Sequence, residues 1–321
     1  MDFRQITVPT PLDIGPVHLY LVRQDPLTLI DAGPKHSESW KALRDGLKQH
    51  GIRPSQIRKL ILTHSHEDHF GQACQIQSES GCAILAHEWE LDNLRKRRDY
   101  HYFQSLLETV GVPRETIGQF QQAYLGLEQY CEPIAQALPL SDGEFLNFDR
   151  GALKVIHTPG HTPGSICLFE KATRVLIAGD MVLDGISPNP LLNPDPVKKG
   201  SRFPALSHYL NSLEKLSQAA PAFCWTSHGK PVHDYSSYRR DLEALIAQRQ
   251  QKILGLLSAG SWTAWQLSLQ VFPDADGVHR FLALSEITSH LDYAAENGRA
   301  ASELRGGVEY WGQGWGGYEG V

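Results

Sequence analysis

Six consecutive residues, His64-Ser65-His66-Glu67-Asp68-His69, set three imidazoles and two carboxylates directly after the apolar run Leu60-Ile61-Leu62. No other stretch constrains the chain as tightly, because such a cluster at the end of a buried strand must be paired or bound. Imidazole nitrogen and carboxylate oxygen are the ligands that suit divalent zinc, iron or manganese. Residues two apart on a strand share a side, so the spacing predicts that His64 and His66 grip one ion where the strand runs into its loop. Asp68 and His69 then turn toward a neighbouring position, and one segment serves two metals. Each ion still needs further ligands, since about four are typical of zinc and a catalytic site keeps one place for water.

Three candidates follow apolar runs of their own. His161 lies in the tandem His157-Thr158-Pro159-Gly160-His161-Thr162-Pro163-Gly164 after the strand-like Ala152–Ile156, where proline and glycine make a tight turn that can aim an imidazole. Asp180 ends Arg174-Val175-Leu176-Ile177-Ala178-Gly179, a buried-strand pattern. His228 follows Phe223-Cys224-Trp225-Thr226-Ser227 and precedes Gly229. Singly, each reads as an ordinary loop residue; with the first motif they complete two sets of ligands.

In this pattern the chain resembles the metallo-β-lactamase superfamily. The order H-x-H-x-D-H, then H, D and H, is met by His64, His66, Asp68, His69, His161, Asp180 and His228, with no ligand position substituted. The resemblance implies one metal held by His64, His66 and His161, a second by Asp68, His69 and His228, and Asp180 bridging both. It implies two divalent ions, zinc before iron or manganese, and an α/β fold of the four-layer αββα type over roughly residues 1–235. Asp31, in Asp31-Ala32-Gly33-Pro34, matches an aspartate that supports the ligands from behind. Histidine at 66 and aspartate at 68 argue against the diiron electron-transfer branch.

At 321 residues the chain exceeds one typical domain, so a main body with an appended module is expected. A net charge of −6 and a pI near 6.2 lack the basic surface that nucleic-acid binding favours. The five cysteines are odd in number, scattered and never paired as C-x-x-C, so they read as small buried apolar residues. No charged leader precedes a long apolar run, and no stretch approaches about 18 apolar residues. The expectation is a cytoplasmic protein without a membrane partner.

Along the chain, His18–Val22 and Leu27–Ile30 read as strands, and Ser39–His50 as an amphipathic helix. Residues from about 88 to 138 read as a helical insertion carrying the basic run Arg95-Lys96-Arg97-Arg98, and insertions over a cleft commonly choose the substrate. A proline-rich loop, Ile186–Pro196, follows Asp180 and borders the cleft. Strand-rich halves with flanking helices suit two sheets covered by helices. From 236 to 321, helical runs at 241–257, 262–272 and 278–295 and a hairpin return at 306–311 suggest a winged-helix-like module. Asp241 to Val321 carries five basic against ten acidic residues, the wrong sign for neutralising phosphates. The module is therefore expected to be a cleft wall or a homodimer contact, and the final Gly312–Tyr318 a loose end.

The reading that results is a hydrolase in which a metal-bridging hydroxide, oriented by Asp68, attacks a small ester, thioester or lactone. The resemblance leaves two alternatives: an endoribonuclease-like phosphodiester hydrolase and a mononuclear iron enzyme like persulfide dioxygenases.

Overall fold

Val17–Val22 is buried at every position, which only a strand covered on both faces can satisfy. It is the second strand of a six-stranded sheet in the computed structural model, which describes residues 1–95, 100–185 and 189–314. The sheet runs in sequence order through β1 (Phe3–Val8), β2 (Val17–Val22), β3 (Thr28–Ile30), β4 (Lys59–Ile61), β5 (Ala83–His87) and β6 (Leu138–Leu140). β1 to β3 are antiparallel and β3 to β6 parallel. A second sheet holds β7 (Phe145–Asn147), β8 (Ala152–His157), β9 (Ile166–Glu170), β10 (Val175–Ile177) and β11 (Phe223–Trp225) in the order β11-β10-β9-β8-β7.

The period-2 alternation of strands sorts the core into two layers. Tyr20, Val22, Ile30 and Ile61 pack with Leu153, Val155 and Ile166 of the second sheet. Their neighbours Leu19, Leu21, Leu29 and Leu60 pack instead with Leu43 and Leu47. Each fully buried aliphatic contributes roughly 1.5–3 kcal/mol. Leu43 and Leu47 lie on α1 (Ser37–Gln49), where Ser39, Leu43 and Leu47 form one buried face at spacing four. Gly46 lets α1 approach β1, since a Cβ there would stand 2.5 Å from Ile6 Cγ2. Three shorter helices follow: α2 (Glu67–Phe70), α3 (Ala73–Ser80) and α4 (Leu91–Arg95).

The chain divides into two compact units that interleave in sequence. The sheets lie in the first, Met1–Arg98 with Leu127–Pro188 and Ser212–Tyr238; the second is Asp99–Gly126 with Asn189–Asn211 and Arg239–Val321. The helices α5 (Tyr100–Thr109) and α6 (Arg114–Leu127) of the expected insertion share a core with the C-terminal elements rather than with the sheets. The chain passes between the units within α7 (Ala205–Ala219) and α8 (Tyr235–Ala259). α9 (Ala264–Val271) starts on a capping box of Thr263 and Gln266, and α10 (Gly277–Glu296) precedes the hairpin β12 (Ala300–Arg305) and β13 (Val308–Gln313). Phe103, Ile117 and Phe120 pack there with Ile253, Leu284 and Trp311.

Among the described residues no helix is long and apolar enough to cross a membrane. Cys82, Cys167 and Cys224 are buried and Cys74 and Cys131 half-buried, all five as free thiols. Of the basic run, Arg95 closes α4; Lys96, Arg97 and Arg98 lie outside the described residues, as do Ile186–Pro188 of the proline-rich loop and Trp315–Tyr318 of the glycine-rich end.

Candidate metal centre

Four loops, each leaving the end of a strand, converge in the first unit. The first leaves β4, and here the structure corrects the expected geometry. β4 ends at Ile61, so His64 and His66 lie in the loop beyond it and not on a strand, while Asp68 and His69 occupy the single helical turn α2. A helical turn sends the neighbouring side chains Asp68 and His69 in different directions about its axis, separating them from His64 and His66 as well as a strand would. The second loop is the turn between β8 and β9 that carries His161. The third is the tight turn Gly179–Met181 after β10, carrying Asp180, and the fourth follows β11 and carries His228. Gly179 has φ +54°, and a Cβ there would meet Thr63 Cβ at 3.0 Å, so glycine admits the turn beside the first loop.

All seven expected residues are brought together. His66 Nδ1 lies 2.8 Å from His64 Nε2 and 3.0 Å from His161 Nε2, and Asp180 Oδ2 is 3.5 Å from His161 Nε2. On the other side Asp180 Oδ1 is 3.3 Å from His69 Nε2, while Asp68 Oδ2 is 3.2 Å from His228 Nε2 and 3.8 Å from His69 Nε2. The donor atoms form two groups, His64, His66, His161 and Asp180, and Asp68, His69 and His228, each within 4.8 Å of one another. Asp180 offers one oxygen to each group.

Three of the five imidazoles are held from behind. His69 Nδ1 donates to Asp31 Oδ2 at 2.9 Å, and His228 Nδ1 donates to the Pro16 carbonyl at 2.9 Å. His64 Nδ1 lies 3.1 Å from Thr63 Oγ1. Donation through Nδ1 leaves the Nε2 lone pair aimed into the cluster. Asp31, with φ 60°, also accepts from the Thr63 amide and hydroxyl, both at 2.8 Å.

The electrostatics ask for positive charge. Burial opposes ionisation of Asp68 and Asp180, yet the His69 and His228 rings beside them hold both carboxyls below the usual range, Asp180 well below it. Burial likewise disfavours protonated His69, but Asp180, Asp68 and Asp31 outweigh it and raise that ring well above its ordinary value. His64, buried among His69 and His66, goes the other way and is held neutral. His69 Nε2, His228 Nε2 and Asp180 Oδ1 are buried and make no well-formed hydrogen bond, although oxygens or ring nitrogens stand within 3.9 Å. Buried carboxylates that draw positive charge onto the imidazoles beside them, with ring nitrogens and oxygens converging on one place, make a donor set that fits divalent cations.

The profile of the Metallo-beta-lactamase superfamily matches residues 12–254. The chain belongs to that superfamily. The probable metallo-hydrolase YqjP of Bacillus subtilis (strain 168) is 31% identical over 96% of this chain and 97% of its own length. A metallo-beta-lactamase family protein of Thermus thermophilus, TTHA1429, superposes with a TM-score of 0.83 at 27% identity, covering 97% of this chain and 98% of that one. Human acyl-coenzyme A thioesterase MBLAC2 is 29% identical over 39% of this chain and 41% of its own length. The chain is thus a metal-binding hydrolase of the metallo-β-lactamase fold, with the α/β architecture expected from its motifs.

One residue beside the centre escaped the sequence reading. Glu90 is fully buried and accepts hydrogen bonds from Ser65, Thr162 and Gly164, on two of the ligand loops. Its partners lie 25 to 74 positions away, so no local pattern reveals it.

Proposed function

We propose that the chain hydrolyses a small thioester, ester or lactone, with two divalent cations, zinc first, seated on the two donor groups. The observation that carries this reading is Asp180, a member of the first donor group whose other oxygen faces His69 of the second, the group to which Asp68 belongs. Cations bound there would lower the pKa of water toward neutrality and polarise the carbonyl under attack. The residues supply the rest. Asp68, kept ionised, accepts a hydrogen bond from the attacking water and orients it. Asp31, Pro16 and Thr63 hold the rings so that no reorientation is needed during turnover. His64, His69 and His228 are at most 1% exposed, whereas His66 is half-buried and Asp180 and His161 are 9% and 7% exposed. Substrate therefore approaches from the His66 side.

A carbonyl substrate is favoured over RNA by the ten acidic against five basic residues from Asp241 onward. The three helices and hairpin there act as a winged-helix-like support. The thioesterase name of the human relative points to the same chemistry. The test is a panel of acyl thioesters, lactones and single-stranded RNA on metal-replete protein, with His64→Ala and Asp180→Ala as controls. Thioester or lactone cleavage lost in both variants supports the proposal. Cleavage of RNA alone overturns it, and one iron per chain with oxygen uptake would replace it with a dioxygenase.

A further inference from the structure

Glu90 stands where α4 begins to form and belongs to none of the ligand loops, yet it joins two of them. Its Oε2 accepts from Ser65 Oγ, and Ser65 sits between His64 and His66. Its Oε1 accepts from Thr162 Oγ1 at 2.6 Å and from the Gly164 amide at 2.8 Å, and Thr162 follows His161. Thr162 is fixed in turn by Ser165, whose Oγ lies 2.8 Å from the threonine hydroxyl and 3.1 Å from its amide. The carboxylate is 0% exposed, and Gly164 permits the approach, since a Cβ there would stand 2.6 Å from Glu90 Cγ. The three imidazoles of the first donor group come from these two loops, and the 3.0 Å between His66 Nδ1 and His161 Nε2 spans the gap that Glu90 closes.

We propose that Glu90 is a positioning residue for the metal held by His64, His66 and His161, setting the separation of the two loops before a cation binds. Two loops left untied must be ordered by the cation itself, at the expense of its affinity. This rests on the metal-dependent reading above. Glutamine at 90 keeps an oxygen for Thr162 and Gly164 and offers its amide to Ser65, whose hydroxyl can turn to accept. Alanine removes all three ties.

The experiment is a cobalt(II) titration of chelator-treated protein, followed by calorimetry and by the visible absorption of the bound ion, for wild type, Glu90→Ala and Glu90→Gln. Glu90→Ala is expected to weaken one equivalent of cobalt roughly 10–100-fold and to change its spectrum. Glu90→Gln should restore most of the affinity. Wild-type affinity and spectrum in Glu90→Ala overturn the inference and leave the metal reading intact. A loss in Glu90→Gln as large as in Glu90→Ala also overturns it, because the role would then lie in general folding. Should Glu90→Ala fail to fold, Thr162→Val removes a single tie and must still weaken that equivalent. A wild-type protein that takes up no cobalt overturns the metal reading and this inference with it.

Discussion

At the scale of single residues, Asp31 offers the sharpest separation of geometry from electronics. Its Oδ1 accepts from the Thr63 amide, a donor that cannot reverse, so in Asp31→Asn the carbonyl oxygen must stay on that side. The new NH2 is then forced against His69 Nδ1 and Thr63 Oγ1. His69 responds by taking the other tautomer, with its proton on Nε2 and no lone pair for the cluster. Asparagine tolerates the left-handed backbone at this position, so the fold survives. Metal affinity and hydrolytic rate are expected to fall roughly 10–100-fold, as for lost support of a ligand. Circular dichroism should stay native. Unchanged affinity by metal titration would show that Asp31 does not set the tautomer.

At the scale of elements, α10 is buried along most of its length and carries a second prediction. His290 donates from Nδ1 to Gln250 Oε1 on α8 at 2.7 Å. Burial and the Arg249 guanidinium push its pKa down to about 3, although Glu286 Oε1 stands 3.9 Å away. The unfolded ring titrates near 6.5, so the unfolded chain binds more protons between pH 6.5 and 3. Stability from this ring is complete above pH 6.5 and is lost as pH falls, by about 1.4 kcal/mol per unit. Urea unfolding of wild type at about pH 7 and about pH 5 should show that loss, and His290→Gln should lose less over the same interval. Equal slopes would mean His290 is protonated without cost. The helices themselves were legible in sequence, since long periodic runs at 241–257, 262–272 and 278–295 became α8, α9 and α10. The four-residue α2 was not, because one turn carries no period.

For the whole molecule, what the sequence could show was the identity of the chemistry-bearing residues, because strand ends punctuated by Gly, Pro, His and Asp leave a local mark. Which segments share a core left none. Phe103, Ile117 and Phe120 of the expected insertion pack with Leu284 and Trp311, more than 160 positions away in chain order. The same nonlocality gives the metal centre its structural weight. His64, His66, Asp68 and His69 leave the six-stranded sheet, whereas His161, Asp180 and His228 leave the five-stranded one. Cations bound at both donor groups would therefore tie the two sheets of the first unit at one end. Ligand bound only by the native state at about 100-fold above its dissociation constant adds about 2.7 kcal/mol, which for a body of this size raises Tm by roughly 5–10 °C. Chelation should lower Tm by that amount and added zinc should return it, followed by calorimetry. The double variant His161→Ala with His228→Ala keeps the first loop but removes a ring from each group. Its Tm should be the same with and without chelator. A chelator shift that survives in this variant would mean the stabilising ion lies away from the seven residues, and the tie between the sheets would have to come from their buried apolar faces alone.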